Sequence, residues 1–201
     1  MLGLPIGILI TFSVIAFSFS KKRLSPIAYA KWVENPANGL HVKKRVGEFE
    51  FSLQYKPCEY LAVCEKKGKV NTEEEIKERV GELSGMQYYT FTIRNANERE
   101  ILSAGIEKQE EYYQRLEYFT SLAQNDFSLV EGKDTLPCLL YHFERNYGLS
   151  PDNNIVLGFE NDTKHSKESK TILFEGEVLG VGNVALEIEG KKLSSIPTLE
   201  L

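Results

Sequence analysis

The sequence has little sulfur and no surplus of positive charge. Three Cys in 201 residues exclude a disulfide-framework miniprotein. With 24 Lys plus Arg against 29 Asp plus Glu, the net charge of -5 argues against a dedicated nucleic-acid binder, which carries a basic surplus. No segment repeats at a fixed period, and no P-loop, GxSxG elbow or HExxH pair is present. What remains is a chain that is 42% hydrophobic, 26% charged and 11% aromatic, neither disordered nor collagen-like and long enough to bury a core.

Charge is missing altogether from Met1 to Ser20. Leu2 to Phe19, drawn as a helix, is roughly 27 Å long, close to the ~30 Å hydrocarbon core of a bilayer. The mean hydropathy of -0.29 averages this stretch with a more polar remainder. Residues 1–20 therefore read as a signal anchor or a signal peptide, and residues 21–201 as a single α+β domain. Length favours the anchor; Ala16 and Ser18, or Ser18 and Ser20, supply the small residues that signal peptidase reads. A buried core helix is the remaining reading, and it requires protein on every side of an uncharged segment. The basic residues Lys21, Lys22 and Arg23, taken alone, place the body in the cytoplasm by the positive-inside tendency.

Beyond the first segment, Ser25-Pro26 opens a helix that Asn35-Pro36 stops. His41 to Val46 and Glu48 to Lys56 form a hairpin around Gly47. In its second arm Phe49, Phe51, Leu53 and Tyr55 alternate with polar residues, the period of a half-buried antiparallel strand. Pro57 starts a short helix, and Thr72 with Glu75 forms a capping box for another. Met86 to Arg94 reads as a strand. Ile106 to Ala123 reads as a helix with Tyr112, Leu116, Phe119 and Ala123 on one face. Strands follow at Phe127 to Glu131, Leu136 to Tyr147, Asn154 to Glu160, Thr171 to Val178 and Val184 to Glu189, with a polar loop at Asn161 to Lys170. The expected fold is α+β, a mostly antiparallel sheet with about three short-to-medium helices, preceded by the N-terminal hydrophobic helix.

Candidate chemistry is sparse. Gly180-Val181-Gly182-Asn183-Val184-Ala185 spells GxGxxA, but a strand rather than a helix is expected after it, so it reads as a hairpin turn and no cofactor is expected. His41, His142 and His165 are scattered without metal-ligand spacing, so no metal is expected. His142 and Glu144 share one face of a strand that also carries Arg145, and a His beside a carboxylate can act as a general base. Solvated strand residues are the plainer account of the three. Cys58, Cys64 and Cys138 read as small buried hydrophobes, with one disulfide possible if the body is exported. Asn161-Asp162-Thr163 matches a glycosylation sequon.

The stretch Leu24-Ser25-Pro26-Ile27-Ala28-Tyr29 through Trp32-Val33-Glu34-Asn35-Pro36-Ala37-Asn38-Gly39-Leu40, with Phe51-Ser52-Leu53-Gln54-Tyr55-Lys56-Pro57, resembles an uncharacterised family of small exported bacterial lipoproteins. Tyr141-His142-Phe143-Glu144-Arg145-Asn146-Tyr147 and Ile196-Pro197-Thr198-Leu199 extend the likeness over most of the body. The resemblance implies a body on the far side of the inner membrane, tied to a membrane by its amino terminus, and implies no activity, cofactor or substrate. Ser18 and Ser20 stand where that family carries its lipid-bearing Cys, so a retained helix or simple cleavage replaces lipid attachment. Three functions follow as expectations. The first is a non-enzymatic envelope protein, held to the membrane through residues 1–20, that binds an envelope protein partner or surface component. The second is a hydrolase-like enzyme around His142, Glu144 and Arg145. The third is a small-ligand-binding β-rich domain with its site inside a curved sheet.

Overall fold

A computed structural model describes residues 21–65 and 72–201, so residues 1–20, read above as a signal anchor or signal peptide, lie outside the described residues. Two antiparallel sheets pack face to face. The first has five strands in the order β2 (His41–Val46), β3 (Phe49–Lys56), β4 (Met86–Asn95), β8 (Asp152–Glu160), β7 (Leu140–Phe143). The second has four, in the order β10 (Asn183–Ile188), β9 (Lys170–Glu175), β5 (Phe127–Glu131), β6 (Asp134–Pro137). Period-two alternation turns Phe49, Phe51 and Leu53 of β3 inward, and with them every second residue of the central strand β4, Gln87 to Asn95. Phe127 and Leu129 of β5, Ile172 and Phe174 of β9, and Val184, Leu186 and Ile188 of β10 face them from the other sheet.

Aromatic rings fill the space between the sheets. Phe91 meets Phe127 at 5.1 Å and Phe174 at 5.5 Å between centroids, and Phe51 meets Phe174 at 6.3 Å. Edge-to-face and tilted pairs of this kind add to the area they remove from water.

Five α-helices among the described residues surround the sandwich: α1 (Pro26–Glu34), α2 (Cys58–Cys64), α3 (Glu73–Leu83), α4 (Gln109–Glu117) and α5 (Gly190–Ser194). The class, α+β with mostly antiparallel sheets, is as the sequence indicates, but there are five α-helices rather than about three. The expected capping box at the start of α3 is present in full, Glu75 N–H donating to Thr72 Oγ1 at 3.3 Å and Thr72 N–H to the Glu75 carboxylate at 3.0 Å. The helix expected at Ile106 to Ala123 starts later, at Gln109, and passes through a π turn at Tyr118–Leu122 into a 3-10 turn at Ala123–Asp126.

The segment Leu136 to Tyr147, read as one strand, is divided between the sheets. Pro137, which has no N–H to donate, ends β6 beside Ser128, and the chain crosses to pair Leu140 with Gly158. The crossing needs Gly158, because a Cβ there would stand 2.9 Å from Leu140 Cβ and 2.8 Å from Met86 Cε. Gly180 and Gly182, at φ 69° and 63°, sit in the connection from β9 to β10, so the GxGxxA sequence leads into a strand.

Finally, β1 (Arg23–Leu24) pairs in parallel with β11 (Thr198–Leu199). Thr198 N–H donates to Lys22 O at 2.9 Å and Glu200 N–H to Leu24 O at 2.8 Å. This short ladder holds the start of the described chain against its last residues. Among the described residues no helix is long and apolar enough to cross a membrane.

Candidate functional site

The three candidate residues from the sequence stand on an open edge. His142 lies on the solvent side of β7, and Glu144 and Arg145 follow it, all three exposed. Glu144 accepts a hydrogen bond from Asn154 Nδ2 at 3.1 Å, and the Arg145 guanidinium lies 4.7 Å from the Tyr147 ring centroid. None of the three lines either of the cavities described below. The strand alternation that places His142 and Glu144 on one face places that face in water.

The larger cavity, about 530 Å³, is a cleft at the end of the sandwich where the two ends of the described chain meet. Tyr29 comes from the inward face of α1, where Tyr29 and Val33 are one turn apart and both buried. Tyr55 is the last inward residue of β3, and Pro57 and Glu59 follow it at the start of α2. Lys77 and Val80 of α3, Ser166 of the β8–β9 loop, Leu193, Ile196 to Leu199, Leu201 and Lys21 also line it. A smaller cavity of about 280 Å³ lies under α4, lined by Ile106, Glu111, Arg115 and Val178 among others.

Tyr29 is only 1% exposed, yet neither its hydroxyl nor that of Tyr55 has a hydrogen-bond partner among the described residues. Neither hydroxyl is among the buried polar atoms that lack a partner, so both open onto the cleft, where they can donate to water or to a bound molecule. Burial, with the Glu59 carboxylate nearby, pushes the Tyr29 phenol far above its ordinary range; burial does the same to Tyr55. Both stay protonated in any ordinary buffer and present O–H donors.

Behind Tyr55 lies a buried polar chain. The Tyr55 and Tyr89 rings are 5.3 Å apart, Tyr89 O–H donates to Gln87 Oε1 at 2.8 Å, and Gln87 Nε2 donates to Glu131 Oε2 at 3.0 Å. Glu131 Oε2 also takes the Lys170 ammonium, its directly opposite residue on β9, in an ion pair whose side chains are 1% and 5% exposed. Glu131 Oε1 is buried without a partner. Sequence reading placed Glu131 at a strand end and Lys170 in a polar loop; only the register of β5 on β9 reveals them as an interior pair.

Next to Ser166, His165 holds the β8–β9 loop to β6. Its Nε2 is 3.1 Å from Asp134 Oδ2, and its Nδ1 is 3.2 Å from Glu168 Oε2, both within ion-pair distance. Glu168 foremost, then Asp134 and Glu131, raise the imidazole above its ordinary 6.5. A raised folded value means that the stability from His165 is fully present below about pH 6.5 and is lost as pH rises through the folded value. His41, whose ring donates to Val33 O at 3.2 Å, is shifted the other way by burial, and its contribution is lost as pH falls below 6.5. In urea titrations from pH 5.5 to 8 at fixed ionic strength, the His165→Gln variant is expected to show a smaller loss of midpoint on the alkaline side than the parent chain. An unchanged alkaline slope would remove His165 as the cause.

No disulfide joins Cys58, Cys64 and Cys138. Burial pushes the Cys58 and Cys138 thiols up to about 11, which keeps both protonated and unreactive near neutrality. Asn161 of the sequon has its amide engaged, Nδ2 donating to Ser84 O at 2.9 Å. Among the described residues no group of three or more His, Cys, Asp or Glu side chains is placed to hold a metal ion.

No protein-family profile matches the chain, and no curated protein matches it. A crystal structure described as a novel protein of unknown function from Burkholderia pseudomallei K96243 is similar at 14% sequence identity. The match covers 86% of this chain and 93% of that chain with a TM-score of 0.39, which carries neither fold nor function across.

Proposed function

We propose that this chain is a membrane-tethered binding protein of the cell envelope, non-catalytic, whose working site is the cleft at the end of the sandwich. The observation that carries the reading is the pair of partnerless phenol hydroxyls, Tyr29 and Tyr55, on the wall of a cavity of about 530 Å³. That volume falls in the ~300–1,000 Å³ range of small-molecule sites, and a mainly apolar wall with a few placed polar groups is their usual make-up. Exposure of His142, Glu144 and Arg145 favours binding over catalysis, since a general base needs a partner group and a substrate held beside it. The uncharged run 1–20 and the resemblance to exported lipoproteins support a body held outside the cytoplasm.

The test is a thermal-shift screen of chemically diverse small molecules on the full chain in non-ionic detergent. A ligand at a hundred times its Kd stabilises by about 2.7 kcal/mol, which for a body of this size raises Tm by roughly 5–10 °C. Tyr29→Phe and Tyr55→Phe remove hydroxyls that make no bond among the described residues, so the unliganded variants are expected to melt within about 1 °C of the parent, while the ligand-induced rise shrinks. The reading fails if no compound stabilises the parent, or if those that do stabilise both variants equally.

A further inference from the structure

We infer that β7 is a docking edge for a second copy of this chain, the two β7 strands pairing antiparallel about a two-fold axis at Phe143. The sheet order ends at β7, so this strand is paired on one side alone. Its phase on β8 is fixed: Leu140 stands opposite Gly158 and His142 opposite Val156, and Glu144 N–H donates to Asn154 O at 2.9 Å. Even-numbered residues therefore turn their main-chain groups to β8. Tyr141, Phe143 and Arg145 turn theirs to the open side, where no described residue bonds to them. The Phe143 ring itself stays in the core, stacked on Phe119 at 5.4 Å. A strand edge in this state is a template for another strand.

The side chains select a second copy as that strand. Of the seven large hydrophobic side chains exposed among the described residues, four flank this edge: Leu139 and Leu140 at its start, Tyr147 and Leu149 in the turn after it. An antiparallel copy brings each end against the other, so Leu139 and Leu140 come beside Tyr147 and Leu149 of the copy. Between the ends stand His142, Glu144 and Arg145, none of them ion-paired with a described residue. With the axis at Phe143, His142 faces Glu144 of the copy on both sides of the dyad, at the closer spacing of about 4.5 Å between Cα atoms, and Arg145 faces Tyr141. Shifting the axis by one residue sets His142 against His142, or Glu144 against Glu144, so charge fixes the register. About six main-chain hydrogen bonds close the pairing. Tyr147 is held for this contact at φ 53°, which a residue with a side chain adopts at a cost. Asn146 enforces it, its Nδ2 donating to Ser150 O and Asp152 O at 2.8 Å and its Oδ1 accepting from Gly148 N–H at 3.0 Å. None of these residues lines the cleft.

The experiment is sedimentation velocity on the full chain in non-ionic detergent, from about 1 to about 100 μM, where a monomer–dimer equilibrium is expected. His142→Glu and Glu144→Lys each set like charges opposite and should weaken it about tenfold or more. An equimolar mixture of the two variants should recover dimers as tight as the parent's, since every contact between positions 142 and 144 is then complementary. Tyr147→Asn should weaken the dimer about fivefold yet leave Tm unchanged or higher, because Asn accepts the φ of this turn; a purely structural role for the ring would lower Tm instead. Monomers at every concentration would overturn the inference. So would a dimer that neither charge reversal weakens, or a mixture that fails to recover, for the contact then lies elsewhere on the chain.

Discussion

Lys170→Met is expected to destabilise the fold by about 3–5 kcal/mol, because it strands the Glu131 carboxylate in an interior from which water is excluded. The two side chains are 5% and 1% exposed, and among the described residues only the ammonium and Gln87 Nε2 donate to Glu131. Against a total of roughly 5–15 kcal/mol for a domain, this is a large share. With a urea slope of ~2 kcal/mol/M, the midpoint should fall by about 1.5–2.5 M. Replacing the partner as well, in Lys170→Met with Glu131→Gln, should recover more than half of the loss, since no uncompensated charge remains and Gln87 keeps an acceptor. A single-variant loss below about 1 kcal/mol would mean that water reaches the pair and that it behaves as a surface ion pair.

Phe174→Ala should be comparably severe, again about 3–5 kcal/mol, for a different reason. Phe174 is fully buried and its ring is 4.7 Å from that of Phe127, 5.5 Å from Phe91 and 6.3 Å from Phe51, so one side chain joins four strands across both sheets, its own β9 and β5, β4 and β3. Alanine removes the ring and leaves a hole bounded by rigid aromatics that cannot collapse into it. Phe174→Leu, which refills most of that volume, should cost less than half as much. Equal midpoints for the two variants in urea titration would show that the core closes around the gap.

The parts of the fold that were legible in the sequence are those specified locally. Alternation in Phe49 to Tyr55 gives the faces of β3, and Thr72 with Glu75 gives the start of α3, because strand faces and helix caps are decided within a few residues. Pro137 carries the break between β6 and β7, a signal obscured by the apolar residues on either side of it. α5 is five residues long, too short for any periodicity to show. The candidate site was not legible. Its wall draws on residues 21, 29, 55, 77, 166, 193, 196–199 and 201, which only the completed topology brings together. One trace existed: the inward positions of β3 run Phe, Phe, Leu and then Tyr, and a hydroxyl at the last of them marks where the core meets something polar.

The ladder between β1 and β11 has a mechanical side. Force arriving through Lys21 divides between the covalent route into α1 and the backbone bonds to Thr198 and Glu200. Tension applied at that end, as the proposed tether would apply it, therefore strains the lips of the adjoining opening before it reaches the stacked rings within.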